Sequence, residues 1–171
     1  MSKIIFYDIN KNMCDAWYKY FKDINEVEIQ NVSFEDVKAT YVVTAGNSYA
    51  IMTGGLDLAV RNYYGYIVQD VLQEVLFFKL GHKLKVGDNI IINTPDENKE
   101  KLVYAATMEV PSIIKPRNVY ITTYNILKSC YKEDGNIAIC GLGVGTGKVP
   151  YEVAAEENYK AYTKYLKKHK L

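Results

Sequence analysis

Residues 42–60 read VVTAGNSYAIMTGGLDLAV. An apolar run gives way to small and polar residues, and these end at a carboxylate, Asp57, in front of an apolar helical pattern. A segment of that make-up packs little core, so a requirement other than stability has shaped it. The run that leads into it, ATYVVTA over 39–45, is continuously apolar, as in a strand covered on both faces. The stretch LDLAVRNYYG reads as a short helix closed by Gly65.

The same order of parts returns near the C-terminus. NIAICG, residues 136–141, is a second buried strand, and GLGVGTGKVP leads from it into a final helix with a Lys-rich end that complements the helix dipole. Gly141, Gly143, Gly145 and Gly147 fall at two-residue intervals. Glycine costs conformational entropy, and a tight turn alone does not need four in seven positions. In open α/β sheets ligands bind beyond the carboxyl ends of the strands. Small residues there let main-chain N–H groups approach an anion, and a helix N-terminus adds a favourable dipole. Two familiar phosphate loops are excluded by spacing. A P-loop would need glycine where Leu142 stands and a hydroxyl where Val149 follows Lys148. A dinucleotide fingerprint follows the first strand, whereas this loop follows the last.

Working outward, KIIFY at 3–7 predicts an opening strand. DINKNMCDAWYKYFKD spaces Met13, Trp17 and Tyr20 along one helical face, and EVEIQNV alternates like a strand. YIVQDVLQEVLFFKLG predicts a long helix capped by Gly81. DNIIINT and KLVYAAT predict two strands joined by the polar turn PDENKE. PRNVYITTYNILKSCYK predicts a helix from Pro116, with Val119, Ile126, Leu127 and Cys130 at helical spacing. Strands alternating with helices, plus one adjacent strand pair, predict an α/β protein with a mixed sheet and helices on both faces.

The chain of 171 residues reads as one domain over 1–171, with 49% hydrophobic and 24% charged residues. A formal net charge of +1 argues against nucleic acid or membrane held by bulk electrostatics. Cys14, Cys130 and Cys140 lie far apart without metal-ligand spacing, as buried free thiols of a reducing compartment. His82 and His169 are isolated, so no metal site is expected, and no cofactor is assigned. With no basic–apolar leader, the expected location is the cytoplasm. Sixteen tyrosines reflect either compositional bias or a binding role.

Together the two loops resemble the macro domain, the family of ADP-ribose-binding modules, in its divergent bacterial- and phage-type branch. The first motif is TAGNSYAIMTGGLDLAV and the second GLGVGTGKVPYEVAAE, with ATMEVP at 106–111 matching a further stretch of that branch. The resemblance implies a three-layer α/β/α fold with a central mixed sheet. It implies contacts of the ligand with Thr44, Gly46, Gly54 and Gly55 of the first motif. Gly143, Val144, Gly145, Thr146 and Gly147 would wrap the phosphates from the other side. It places Asn47 on the distal ribose and gives Asp57, ten residues later, the catalytic task of positioning or activating water. Without the family, Asn47 reads as an Asx turn. Asp57 then reads as a carboxylate at a helix N-terminus, worth roughly 0.3–1 kcal/mol.

The sequence also departs from the family. Thr44 replaces its first asparagine, Arg61 stands where many de-ADP-ribosylating members carry histidine, and Gly147 takes the place of an aromatic cap for the distal ribose. Tyr49 is a candidate substitute for that cap. Gln30 and Asn31 replace the segment that holds the adenine-binding aspartate, leaving Asp8 or Asp36 to make that contact. Two functions follow from the resemblance: hydrolysis of an ADP-ribosyl linkage or of ADP-ribose 1''-phosphate, or a catalytically silent reader or sponge for an ADP-ribose-like signal. The implied partner is ADP-ribose or an ADP-ribosylated substrate. A structural protein with a vestigial cleft would show neither binding nor product, and the retained glycines speak against it.

Overall fold

A computed structural model describes residues 2–131 and 134–171. The elements in chain order are β1 (Ile4–Tyr7), α1 (Lys11–Phe21), β2 (Val27–Gln30), β3 (Tyr41–Asn47), α2 (Gly55–Tyr64), α3 (Ile67–Lys79), β4 (Asn89–Asn93), β5 (Lys101–Met108), α4 (Pro116–Cys130), β6 (Ile137–Cys140) and α5 (Tyr151–His169). Each predicted strand and helix is present. Lys132, at the end of the predicted α4 stretch, lies outside the described residues. β3 runs two residues beyond the apolar run, because Gly46 and Asn47 still find partners in Ala106 and Met108 of β5.

The six strands form one sheet in the order β2-β1-β6-β3-β5-β4. All neighbours are parallel except β4 and β5, which form the predicted hairpin, so the sheet is mixed. β1 and β6 are buried at every residue, as central parallel strands covered by helices must be. Helix α5 packs on both α1 and α4, while α2 packs on β3 and α3, giving a three-layer α/β/α sandwich. Local chemistry sets the helix ends. Asn10 accepts from the N–H of Asn12 to cap α1, Pro116 opens α4, and Gly65, at φ +87°, breaks α2 from α3. Gly81, at φ +63°, lies just past Leu80, the C-cap of α3.

Several tyrosines are core residues. Tyr7, Tyr41, Tyr104 and Tyr165 are almost wholly buried. The Tyr7 hydroxyl donates to the Val43 carbonyl at 2.7 Å and ties β1 to β3 across β6. The helical layer is pinned by one polar chain. Trp17 Nε1 donates to Asn158 Oδ1 at 2.9 Å, and Asn158 Nδ2 donates to Thr123 Oγ1 at 2.8 Å, so one amide joins α1, α5 and α4. Replacing Asn158 with alanine strands the indole N–H in the core, and the expected cost is about 2 kcal/mol. Thermal unfolding is expected to fall by roughly 4–8 °C. An unchanged midpoint would mean that Trp17 finds another acceptor. Among the described residues no helix is long and apolar enough to cross a membrane.

Candidate functional site

The sheet opens where the two small-residue loops begin. β3 and β6 pair only through Tyr41–Ile137 and Val42–Ala138, and beyond these residues the strands part. Their carboxyl ends frame a cleft of about 250 Å³. One wall comes from the end of β3 and the start of α2, including Gly46, Asn47, Gly54, Gly55 and Asp57. The glycine loop supplies the facing wall with Gly143, Gly145, Thr146 and Gly147. Of the sequence-predicted residues, all but Thr44 and Val144 therefore meet in one place, from two loops ninety positions apart.

The glycines do different jobs. Gly143 has φ +71°, and a Cβ there would sit 2.7 Å from Ile114. A Cβ on Gly147 would lie 2.6 Å from the Gly143 carbonyl oxygen, so that turn closes only with glycine. Gly54 and Gly145 have open space instead, which keeps the mouth of the cleft wide. Gly55 is likewise open and has φ +55°. Among the described residues, the N–H groups of 143–147 donate to no protein acceptor. The N-terminus of α2 has no side-chain cap, so its first N–H groups are open too. Two sets of unused donors thus converge, the arrangement that suits an anion.

Asp57 lies in the first turn of α2 and is buried, with 5% of its surface exposed. Thr44 Oγ1 donates to Asp57 Oδ1 at 2.9 Å. The other carboxylate oxygen rests on Gly46, where a Cβ would come within 1.8 Å of it. Burial pushes the carboxyl up from its ordinary 3.8 to about 7, against the opposing pull of the Thr44 hydroxyl. Such a group is half-ionised near neutral pH and suits proton transfer there.

Asn47 lines the cleft but spends its amide on its own loop. Oδ1 accepts from the N–H groups of Tyr49 at 3.0 Å and Ile51 at 3.3 Å, and Nδ2 donates to the Ile51 carbonyl at 2.9 Å. This Asx-type clasp holds Ala50 at φ +52°, a left-handed conformation that a non-glycine residue adopts only under restraint. From α3, Gln69 accepts from the Met52 N–H and fastens the same loop.

Several of the expected residues lie away from the cleft or are engaged elsewhere. Thr44 is fully buried and lies behind the cleft wall, because its hydroxyl turns to Asp57. Val144 packs over Gly141 and does not line the cleft. Tyr49 faces a neighbouring groove with Gln73, Leu76, Phe77 and His82, away from the cleft. Arg61 lies over the Tyr66 ring at 4.4 Å, and its Nε is buried without a hydrogen-bond partner. At the far end, Asn31 donates to the carbonyls of Asp8 and Ile9, and Asp36 accepts from Ser33. The Asp8 carboxyl is raised by burial and bonded to the N–H of Asn10. Sequence reasoning missed the third wall, Thr107 and Met108 at the end of β5 with Pro111 just beyond, and the floor at Cys140. The signal for that wall was present in ATMEVP.

No family model matches the sequence. An uncharacterised protein of Aquifex aeolicus is 26% identical over 145 residues, which is 82% of each chain. The macrodomain of Mycobacterium tuberculosis DarG superposes with a TM-score of 0.69 at 14% identity, over 79% of this chain and 88% of that one. This chain has the macrodomain fold. A Trypanosoma brucei macrodomain in complex with ADP matches at TM-score 0.64 and 16% identity, over 98% of this chain and 58% of the other. An Oceanobacillus iheyensis macrodomain variant with ADPR matches at 0.57 and 16%, over 76% and 86%. The macrodomain fold accounts for the sheet order and for two loops meeting beyond the ends of β3 and β6.

Proposed function

We propose that the protein binds ADP-ribose or a close nucleotide derivative in this cleft. The diphosphate lies between the glycine loop at 143–147 and the N-terminus of α2, and the distal ribose lies toward Asp57. The observation that carries this reading is the convergence of main-chain N–H groups without protein acceptors from both walls. They neutralise an anion without an arginine clamp, in keeping with a chain of net charge +1. The ADP and ADPR held by macrodomain neighbours support the same ligand class.

Hydrolysis is a second reading, and Asp57 favours it. A buried carboxyl titrating near 7 beside the distal ribose is suited to taking a proton from water. The substrates would be an ADP-ribosylated protein or ADP-ribose 1''-phosphate. A silent reader or sponge is the alternative, supported by Arg61 lying over Tyr66, outside the cleft, and by the Asn47 amide being engaged in its own loop.

Gly145 provides the test, because a Cβ there would meet nothing within 4 Å, so a side chain can start from it without a clash. Gly145→Glu brings a negative charge to the cradle, and calorimetry with ADP-ribose is expected to find affinity at least about thirtyfold weaker at unchanged melting temperature. Equal affinity in wild type and variant would remove the phosphate cradle. A product assay on both substrates, run beside calorimetry, separates the enzyme from the reader.

A further inference from the structure

Among the described residues no cation stands beside the buried carboxylate of the cleft. Asp57 is faced from β3 by Thr44 and Gly46 and from β5 by Tyr104, with Tyr7 of β1 and Cys140 of β6 further behind. None of these carries a positive charge. Arg61, one turn further along α2, has its guanidinium over Tyr66. The Thr44 hydroxyl is therefore the protein donor that meets the carboxylate, at 2.9 Å. It holds Oδ1 against the buried side of the wall. Oδ2 is left over Gly46, which lines the cleft.

We propose that Thr44 is a positioning residue, which fixes Asp57 through Oδ1, turns Oδ2 to the cleft and sets the charge that a ligand meets there. The consequence for ligands rests on the nucleotide reading above, whereas the claim about Thr44 does not. An ionised Oδ2 accepts one hydrogen bond from a ribose hydroxyl. A neutral carboxyl donates one instead. Both forms are populated around neutral pH, so the affinity of a ligand that reaches Asp57 follows this carboxyl, whereas that of ADP, which ends at its second phosphate, follows the ionisation of its own terminal phosphate.

The donor favours the ionised form, so its removal is expected to make Asp57 hold its proton to higher pH. In Thr44→Val the titration midpoint of Asp57, followed by carboxyl ¹³C NMR in ligand-free protein, is expected to rise by about one unit. Thr44→Ser keeps a hydroxyl and is expected to restore the wild-type midpoint. In the same variants the pH profile of ADP-ribose affinity should move with the midpoint, while that of ADP, set by its own terminal phosphate, is the same in all three proteins. A merely structural Thr44 would lower the melting temperature of Thr44→Val and leave the midpoint in place. That result would overturn the proposal. Failure of ADP-ribose to bind at all would instead sink the nucleotide reading and leave the titration standing.

Discussion

Gly46→Ala is expected to destabilise the protein by about 3 kcal/mol through overpacking. Its melting temperature should fall by roughly 6–12 °C. The added methyl would lie 1.8 Å from Asp57 Oδ2 and 2.6 Å from the Tyr104 hydroxyl. Neither neighbour is free to retreat. Asp57 is bonded to Thr44, and the Tyr104 hydroxyl donates to the Asn47 carbonyl at 2.7 Å. The cause is steric, so it is relieved by removing the obstacle. In an Asp57→Ala background the same substitution is expected to cost much less, leaving only the Tyr104 contact. Chemical denaturation of the four proteins measures this coupling. Additive losses would mean that Asp57 swings away freely and does not press on β3.

The second large effect is a gain in stability. Burial raises the folded-state value of Asp57 to about 7, from the ordinary value of 3.8 that the unfolded chain keeps. Below the unfolded value both states hold the proton, and burial of the neutral acid carries no ionisation penalty. As pH rises from about 4 to 7 the unfolded state ionises while the native state resists, and stability drains away until both are ionised. Above pH 7 the accumulated loss is about 4 kcal/mol. Asp57→Asn removes the titration, and the amide's own need for partners offsets part of the gain. The variant is expected to be more stable than wild type by about 3 kcal/mol at pH 8, or roughly 6–12 °C, with the difference closing toward pH 4. A constant difference across that range would show that Asp57 titrates normally in the folded protein.

The opposed effects at Gly46 and Asp57 have one physical origin. The chain maintains a carboxylate in a place that stability alone would fill with an apolar or amide side chain. That is how a binding or catalytic demand differs from a packing demand at a wall of a cleft.

Much of the architecture could be read from the sequence because its signals are local. Continuous apolar runs marked β1, β3 and β6, and Gly65 and Gly81 marked helix ends. The strand order was not legible. β6 lies between β1 and β3, and no local pattern encodes pairing across so long a span of chain. The site divided along the same line. Glycine spacing pointed to both loops, since backbone approach demands glycine wherever it occurs. The orientation of individual side chains depends on neighbours supplied by distant segments. Thr44 turns inward because Asp57 arrives from α2, and the loop that the Asn47 amide clasps is fastened by Gln69 from α3. The wall at the end of β5 went unassigned because Thr107, Met108 and Pro111 are ordinary residues until the sheet brings them to the cleft.

The place of β6 bears on how the protein is made. During synthesis the N-terminal strands emerge first, yet the slot between β1 and β3 stays vacant until Ile137–Cys140 clears the ribosome tunnel. Until then two unfinished sheet edges face each other with raw apolar strands. Assembly of the sheet, and of the cleft at its rim, must wait for β6, so a nascent chain stalled before it is a client for chaperones.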